Sequence, residues 1–318
     1  KFAHGCFWRY EIPDHGIWSR LDDVEDVKRS VGNLHGSIVA VTDERNNTTM
    51  TSLNVTNRFT LGVVETMKTL RSNKTWFLDA AFGLCFNNCF VQLEEDGKII
   101  SLPHSPLHKA RTYMPFDYVG SGAKPTRLLA LLDSCFLDDP DKDDKIELFR
   151  QIFGICLMER AIVCGRMFFF LGNGANGKST LCDIVAKLFP GDMLRSLTPN
   201  DMKDRTYLAD LETAKLNLVR DVEDDEFLHN SVIKRLSEGE TIRVRRIYET
   251  AYDLNARAGH VYVTNNMPFM KDLSHGFVRR WMILTFNREI PENQQMSRKQ
   301  IVHDVVSNEL PEITAWLV

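Results

Sequence analysis

The chain has 318 residues, of which 43% are hydrophobic and 26% are charged. This is the composition of an ordinary folded protein, and the length exceeds one compact core, so we expect two domains. The formal net charge of −4 excludes a strongly basic protein, so a nucleic-acid partner would need a local basic patch. The apolar runs are too short for a membrane span.

The cysteines indicate a reducing compartment. There are seven of them, an odd number scattered along the chain, and no signal peptide precedes them. We therefore expect a cytoplasmic protein. Cys85 and Cys89 form the only close pair, without a second pair or a histidine at ligand spacing, so no zinc site is predicted. Because the chain starts at Lys1 rather than Met, we expect a fragment of a longer protein.

Residues 1–110 predict a small mixed α/β accessory region. Short alternating segments at 7–10 and 90–93 are typical of strands, and residues 61–70 are typical of a helix. Prolines and glycines over 101–125 indicate a loop or linker.

Residues 111–164 predict a helical, collar-like region. Apolar residues recur at a helical period over 125–137 and 143–161. The acidic stretch 138–144 precedes the second helix. It lacks the central Gly and closing Glu of a calcium loop, so we interpret it as a solvated loop that caps this helix.

Residues 165–318 predict an α/β domain with a mainly parallel sheet. The candidate strands are 167–171, 216–220, 260–264 and 281–286, and helices or turns separate them. Between the second and third strands, residues 241–254 predict a β-hairpin with its turn near 248–250.

A phosphate-binding loop follows the first of these strands. Gly172-x4-Gly177-Lys178-Ser179 stands between an apolar strand and a predicted helix, the setting in which backbone N–H groups cradle phosphates. Lys178 would reach the β- and γ-phosphates of ATP, and the Ser179 hydroxyl would bind Mg²⁺. The alternative is a glycine-rich turn that binds nothing. The predicted nucleotide-binding residues are Gly172, Asn173, Gly174, Ala175, Asn176, Gly177, Lys178, Ser179 and Thr180.

Hydrolysis also needs an acid to hold Mg²⁺ and orient water. Asp221 and Glu223 follow the predicted strand 216–220, at the edge where ligand sites lie in open α/β sheets. We assign Asp221 to Mg²⁺ and Glu223 to the water, with the roles open to exchange. The alternative is an acidic loop, because further acids crowd the segment.

Two later elements carry candidate catalytic groups. Asn265 ends the strand 260–264, where its amide would orient the attacking water, although Asn is also a common turn residue. Arg279 and Arg280 precede the last strand. They are either solvated charges or, in a ring ATPase, a finger that reaches the neighbouring subunit's γ-phosphate.

These elements, in this order, resemble the superfamily III helicases, and most of all the helicase half of phage, plasmid and poxvirus primase-helicases. The resemblance extends over most of the chain, strongly from about residue 115 to 316. It departs from the family at Asp221, where many relatives have Glu, and at 238–240, where Gly-Gly-Asp is frequent. The segments that carry it are residues 172–180, 234–240, 263–268, 276–280 and 283–286.

The resemblance implies an AAA+-like P-loop ATPase fold, a hexameric ring and translocation on single-stranded DNA, usually 3′ to 5′. It also implies that Arg279 or Arg280 lies at the subunit boundary as the finger, and of the two we favour Arg280. It also implies that the predicted hairpin projects into the central pore. The densest basic cluster of the chain lies there, suited to sequence-independent phosphate contacts, and Tyr248 near the turn would stack on a base. The alternative is a solvated amphipathic strand. The cluster consists of Lys234, Arg235, Arg243, Arg245 and Arg246.

Strand alternation places Arg243 and Arg245 on one face of the hairpin and Arg246 on the other. Because Arg246 is nearest the turn, we predict that Arg246 and one of the other two contact DNA.

We therefore predict an ATP- and Mg²⁺-dependent DNA helicase, the motor of a primase-helicase type replication protein, acting on single-stranded or forked DNA. Three rivals remain open. They are a superfamily III RNA helicase, a replication initiator or origin-binding module that ATP switches, and an inactive ATPase fold. Intact Lys178, Asp221 and Asn265 argue against the last. Residues 1–110 contain no carboxylate triad for nucleotidyl transfer, so no primase activity is predicted.

Overall fold

The computed structural model of the protein describes residues 1–4, 6–11, 16–21, 24–43, 45–73, 75–94, 96–220, 231–266 and 278–318. These residues form a mixed α/β fold around a five-stranded parallel sheet. In the described part of the chain, no helix has the length and apolar character needed to cross a membrane.

The described part of residues 1–110 forms three small antiparallel sheets, two α-helices and a short 3-10 helix. The sheets contain β1 to β3, β4 with β5, and β6 to β8. The predicted strands at 7–10 and 90–93 and the helix at 61–70 are confirmed, and α2 begins earlier than predicted because the Thr56 side chain caps it. The elements are β1 (Phe2–Ala3), β2 (Cys6–Tyr10), β3 (Trp18–Leu21), α1 (Val24–Gly32), β4 (Ile38–Thr42), β5 (Thr48–Ser52), α2 (Asn57–Leu70), β6 (Gly83–Cys85), β7 (Phe90–Leu93) and β8 (Ile99–Leu102).

Three helices follow: α3 (Thr126–Cys135), α4 (Lys142–Leu157) and the short α5 (Ala161–Cys164). The prediction of one helix over 143–161 is wrong at its end, because Glu159 adopts a left-handed φ of 59° and separates α4 from α5. The start of α3 has no side-chain cap of its own. The buried Glu309 carboxylate supplies it by accepting the N–H groups of Arg127 and Leu128.

The acidic stretch 138–144 is not simply a solvated loop, which corrects the prediction. The Asp139 side chain is 6% exposed and accepts hydrogen bonds from Lys145 Nζ at 2.8 Å and Asn287 Nδ2 at 2.9 Å. Asp138 pairs with Arg288 at 3.2 Å. The stretch therefore ties the start of α4 to the segment after the last sheet strand.

The remaining elements build the parallel sheet, the helices that cover it and a separate two-stranded hairpin of β12 and β13. They are β9 (Met167–Leu171), α6 (Lys178–Leu188), β10 (Leu194–Arg195), α7 (Arg205–Leu208), β11 (Leu216–Arg220), α8 (Ser231–Ser237), β12 (Ile242–Val244), β13 (Tyr252–Leu254), β14 (Gly259–Thr264), β15 (Trp281–Thr285) and α9 (Arg298–Leu317).

The sheet order is β10, β11, β14, β9, β15, with all neighbours parallel. The interior strand β9, between β14 and β15, is apolar throughout because both of its faces are covered. Phe168 and Phe170 pack into one hydrophobic cluster, while Met167 and Phe169 pack into another on the opposite face. The carboxyl ends of β9, β11 and β14 consequently meet at one edge of the sheet.

One hydrophobic core crosses both predicted boundaries between regions. It joins Leu84, Phe86 and Met114 to the α3 and α4 helices, to one face of the parallel sheet and to α9. The division at 110/111 and 164/165 stays a prediction.

Candidate active site

The loop 172–177 joins β9 to α6 at the carboxyl edge of the sheet. Helix α6 begins at Lys178, and its cap is Gly177, whose φ of 80° lies in the left-handed region that glycine favours. A Cβ at Gly177 would lie 2.4 Å from Cys135 Sγ. At Gly172 a Cβ would lie 2.5 Å from the Phe286 carbonyl oxygen. Both glycines of the motif are thus required by the geometry of the turn.

Asn176 organises the interior of this loop. It is 4% exposed, and its Oδ1 accepts the N–H of Lys178 at 3.2 Å. Its Nδ2 donates to the carbonyl oxygens of Asn173 at 3.1 Å and Phe286 at 3.3 Å. The Asn before Gly-Lys therefore ties the loop to the end of β15. Sequence reasoning included Asn176 among the phosphate-loop residues but did not assign it this role.

Lys178 lies at the centre of the candidate site. Its side chain is almost fully buried, and Nζ donates to the carbonyl oxygens of Gly172 at 2.6 Å and Thr264 at 2.7 Å. A third bond reaches Asn265 Oδ1 at 3.1 Å. The structure thus brings two predicted site residues, Lys178 and Asn265, into direct contact. Parallel pairing of β9 and β14 places their carboxyl ends side by side, which sets this contact.

A groove of about 410 Å³ opens beside these residues. It is lined by the loop and by the carboxyl ends of three strands, and it includes the segment after β15 that the sequence did not single out. The exposed Ser179 and the buried Thr180 occupy the first turn of α6. The lining residues are Leu171, Gly172, Asn173, Gly174, Asn176, Asn265, Asn266, Thr285, Phe286, Asn287, Arg288 and Glu289.

This donor set fits a nucleoside triphosphate with Mg²⁺. The start of α6 offers backbone N–H groups and partial positive charge, Lys178 adds a full charge, and Ser179 offers a hydroxyl oxygen. Ala175, with φ 56°, and Gly174 are exposed beside the groove. The neighbourhood is cationic as well, because Arg220 and Arg298 both pair with Asp183 on α6. Burial alone would raise the pKa of Asp183, yet hydrogen bonds from Arg298 and Arg220 hold it below its ordinary value.

The predicted acids Asp221 and Glu223 lie outside the described residues. Strand β11 ends at Arg220, which is in register with Val263 of β14. Its last described residue therefore stands at the same sheet edge as the phosphate loop.

The two candidate finger arginines have different surroundings. Arg280 is 8% exposed and forms an ion pair with Glu238 at the end of α8. That hydrogen bond lowers the pKa of Glu238. Arg279 is exposed, and no hydrogen bond or ion pair joins its side chain to another described residue. Our sequence-based preference was Arg280, but its guanidinium is held within its own subunit, so this geometry favours Arg279 for a contact to a second chain.

The predicted β-hairpin is confirmed, with β12 and β13 antiparallel and the turn around 247–249. Strand β12 ends at Val244, however, so Arg245 and Arg246 lie beyond the strand and the predicted alternation does not apply to them. Arg246 donates to Glu212 Oε2 at 2.7 Å instead of facing solvent. Three members of the basic cluster are exposed, namely Lys234 on α8, Arg243 and Arg245. Arg243 pairs with Asp253 at 3.1 Å.

Tyr248 stands at the tip of the hairpin and is fully exposed. It has a left-handed φ of 63°. The hairpin thus presents an aromatic ring and Arg245 to solvent, whereas Arg246 is committed to an internal ion pair. No signal in the local sequence pointed to Glu212, the partner of Arg246, because the two are 34 residues apart.

Comparisons with known proteins give similarity without a functional assignment. A family of unknown function (DUF5906) matches residues 170–280, less than half of the chain. No curated protein matches.

Three solved structures of the NrS-1 C-terminal region are similar to this chain. An A-form apo structure has a TM-score of 0.49 and 17% identity, and an apo structure of residues 305–718 has 0.48 and 17%. Each alignment covers 71% of this chain. It covers 51% and 52% of the two neighbours, so this chain spans about half of their length. An A-form apo structure of 305–718 has a TM-score of 0.49 and 13% identity, over 92% of this chain and 68% of that one. The function is therefore argued from the residues of the chain itself.

Proposed function

We propose that the chain is the ATP-driven motor of a replication protein, a DNA helicase of the superfamily III type. The observation that carries this is Lys178. It begins the helix after a glycine-constrained loop, at the carboxyl edge of a parallel sheet, and it contacts Asn265 on the neighbouring strand. A lysine at this sheet edge can bind the γ-phosphate and a strand-end amide can orient water, which are two of the functions that hydrolysis requires.

The proposed roles combine these contacts with the sequence pattern. The loop and Lys178 would bind the phosphates of ATP, and Ser179 and Asp221 would hold Mg²⁺. When bound, Mg²⁺ would supply positive charge against the β- and γ-phosphates. Glu223 activates the water, and Asn265 orients it from the end of β14. The strand order, with β9 between β14 and β15, supports an AAA+-like nucleotide domain.

The proposed DNA contacts are the exposed residues of the hairpin and α8. Arg245 and Lys234 supply charge, and Tyr248 supplies a ring for stacking. Arg243 contributes after exchanging its exposed ion pair with Asp253, which is a weak interaction in solvent. Arg246 is not part of the proposed contact set, because Glu212 already holds it.

We further propose that subunits assemble as a ring in which Arg279 reaches the neighbouring subunit's nucleotide. Its exposure supports this role, and the buried pairing of Arg280 supports a structural role for that residue.

The test is ATP hydrolysis by Lys178→Ala, with Lys187→Ala as the matched control. Lys187 is exposed in the last turn of the same helix, so its loss changes the charge without touching the loop. We expect Lys178→Ala to abolish turnover and Lys187→Ala to retain it. Wild-type turnover in folded Lys178→Ala would remove the basis of the proposal.

A second experiment measures ATP hydrolysis and unwinding with different nucleic acids, and it distinguishes the DNA helicase from the alternative functions. We expect single-stranded DNA to stimulate hydrolysis and forked DNA to be unwound. Stimulation by RNA alone would indicate an RNA helicase. Binding to origin duplex without stimulation or unwinding would indicate an ATP-switched initiator.

A further inference from the structure

A buried polar cluster lies between the N-terminal sheet and the hairpin, apart from the phosphate loop. At its centre is Glu212, which is 4% exposed and stands in the turn before β11. Its carboxylate accepts hydrogen bonds from His4 Nδ1, from Arg111 at 3.3 Å, from Arg246 at 2.7 Å and from Tyr252 Oη at 3.0 Å. Burial alone would raise the pKa of Glu212, but the His4 hydrogen bond and the Arg111 charge hold it well below its ordinary range.

The partners of Glu212 come from parts of the chain that are distant in sequence. His4 lies between β1 and β2, while Arg246 and Tyr252 stand on the two sides of the hairpin turn. The His4 ring also stacks on Tyr252, with centroids 4.7 Å apart and an interplanar angle of 13°. His4 has a left-handed φ of 51°, a strained conformation that these contacts must hold in place.

A second contact joins the same two elements. Arg20 of β3 pairs with Glu249 in the hairpin turn, and both side chains are largely buried at 20% and 25% exposure. The N-terminal region therefore contacts the hairpin at two points. His4 stacks on Tyr252 and, through Glu212, connects to Arg246, while Arg20 pairs with Glu249. Neither contact involves a residue that we assign to ATP or to DNA.

The hairpin needs this support because its own ladder is short. Only three residue pairs join β12 to β13, and a two-stranded ribbon of that length has little stability alone. Apolar packing of Ile242, Val244 and Tyr252 fixes the base of the ribbon. Beyond Val244, the segment 245–251 is held to the body of the protein by the contacts of Arg246 and Glu249.

We propose that Glu212 is a positioning residue that fixes the hairpin tip to the N-terminal region, so that His4 and Arg20 form a brace that holds in place the loop that is proposed to contact DNA. The role of the tip in DNA binding rests on the proposed function. The role of Glu212 and His4 in holding the hairpin does not depend on it. A rigid tip presents Tyr248 and Arg245 in one arrangement, which lowers the entropy lost when a strand binds.

The experiment is amide hydrogen exchange of the segment 242–254, measured without nucleotide or DNA. Three variants remove different parts of the brace: Glu212→Gln, Tyr252→Phe and Glu249→Gln. The last two are mild enough to keep the fold if Glu212→Gln does not. Glu309→Gln is the matched control, because Glu309 is also a buried carboxylate, but its hydrogen-bond partners belong to α3 and not to the hairpin.

We expect exchange in 242–254 to accelerate about tenfold or more in the Glu212 variant, since a lost hydrogen bond to a charged group shifts an equilibrium by about that factor. The other two brace variants should show smaller increases in the same segment. Glu309→Gln should leave it unchanged. Exchange in 242–254 that matches the control in all three brace variants would overturn the proposal.

ATP hydrolysis supplies the second readout. In Glu249→Gln, basal hydrolysis should equal that of the wild type while DNA-stimulated hydrolysis falls, a split that general destabilisation does not produce. Faster exchange with undiminished DNA stimulation would overturn the positioning role. If the wild type itself shows no stimulation by DNA, the proposed function fails, while the exchange data still decide whether the brace exists.

Discussion

The contact between Lys178 and Asn265 predicts a specific effect of Asn265→Asp on nucleotide affinity. An ammonium group has three protons. In this structure Lys178 Nζ donates to three protein oxygens, those of Gly172, Thr264 and Asn265. A phosphate oxygen that binds Lys178 must therefore take the place of at least one of them. The Asn265 bond, at 3.1 Å the longest of the three, is the one that costs least to exchange.

The substitution changes the strength of that bond with little change in shape. A hydrogen bond from an ammonium to a neutral amide contributes about 1.5 kcal/mol, and a carboxylate acceptor adds about 1 kcal/mol more because both partners are then charged. The difference corresponds to roughly five- to tenfold weaker ATP binding. Repulsion between the new carboxylate and the triphosphate acts in the same direction. Asn265→Ala, which removes the bond, should bind ATP at least as tightly as the wild type.

The assay is equilibrium binding of a fluorescent ATP analogue, with thermal melting of the protein alone as a second measurement. Asn265→Asp should bind ATP more weakly and melt at a higher temperature, because its Lys178 is held more firmly. Asn265→Ala should bind ATP but hydrolyse it slowly, since the amide that orients water is lost. Equal ATP affinity in the wild type and Asn265→Asp would refute the view that the amide competes with phosphate for Lys178.

Three further predictions concern the acid, the finger and a buried histidine. Glu223→Gln should bind Mg-ATP and fail to hydrolyse it; normal turnover would reverse the roles given to the acidic pair. Mixing Arg279→Ala with Lys178→Ala subunits should recover part of the lost hydrolysis. If activity is recovered only when Arg280→Ala is the variant mixed with Lys178→Ala, Arg280 is the finger instead. Burial lowers the pKa of His260 to about 4, so the unfolded chain takes up a proton first as the pH falls below about 6.5. Stability should therefore drop by about 2 kcal/mol between about pH 7 and about pH 5. Urea unfolding at each pH measures this drop in stability, which should be absent in His260→Leu. If that variant shows the same drop, other titrating groups cause it.

Local patterns in the sequence predicted many of the elements around the parallel sheet, within the residues that the structure describes. The apolar run at 167–171 predicted β9, and Gly172-x4-Gly177-Lys178 predicted the turn and the start of α6, because strand burial and backbone conformation depend on neighbouring residues. The hairpin at 241–254 and the strands of the parallel sheet were predicted from local patterns in the same way. The bounds of α4 and β12 were less well predicted, since Glu159 and Val244 end these elements without Gly or Pro beside them.

The partners of charged side chains were decided only by the tertiary structure. The sequence placed Arg246 and Arg280 among candidate functional residues, yet both are bound within the subunit, by Glu212 and Glu238, which are 34 and 42 residues away. Asp139 was likewise predicted to be solvated, but in the structure it accepts a hydrogen bond from Asn287. An arginine reads the same in sequence whether it faces water, a phosphate or a buried carboxylate, because its partner is chosen by how distant segments pack. A glycine-lysine turn depends on the backbone conformation of adjacent residues, and for that reason the turn at 172–177 was predictable and the hydrogen bonds of Glu212 were not.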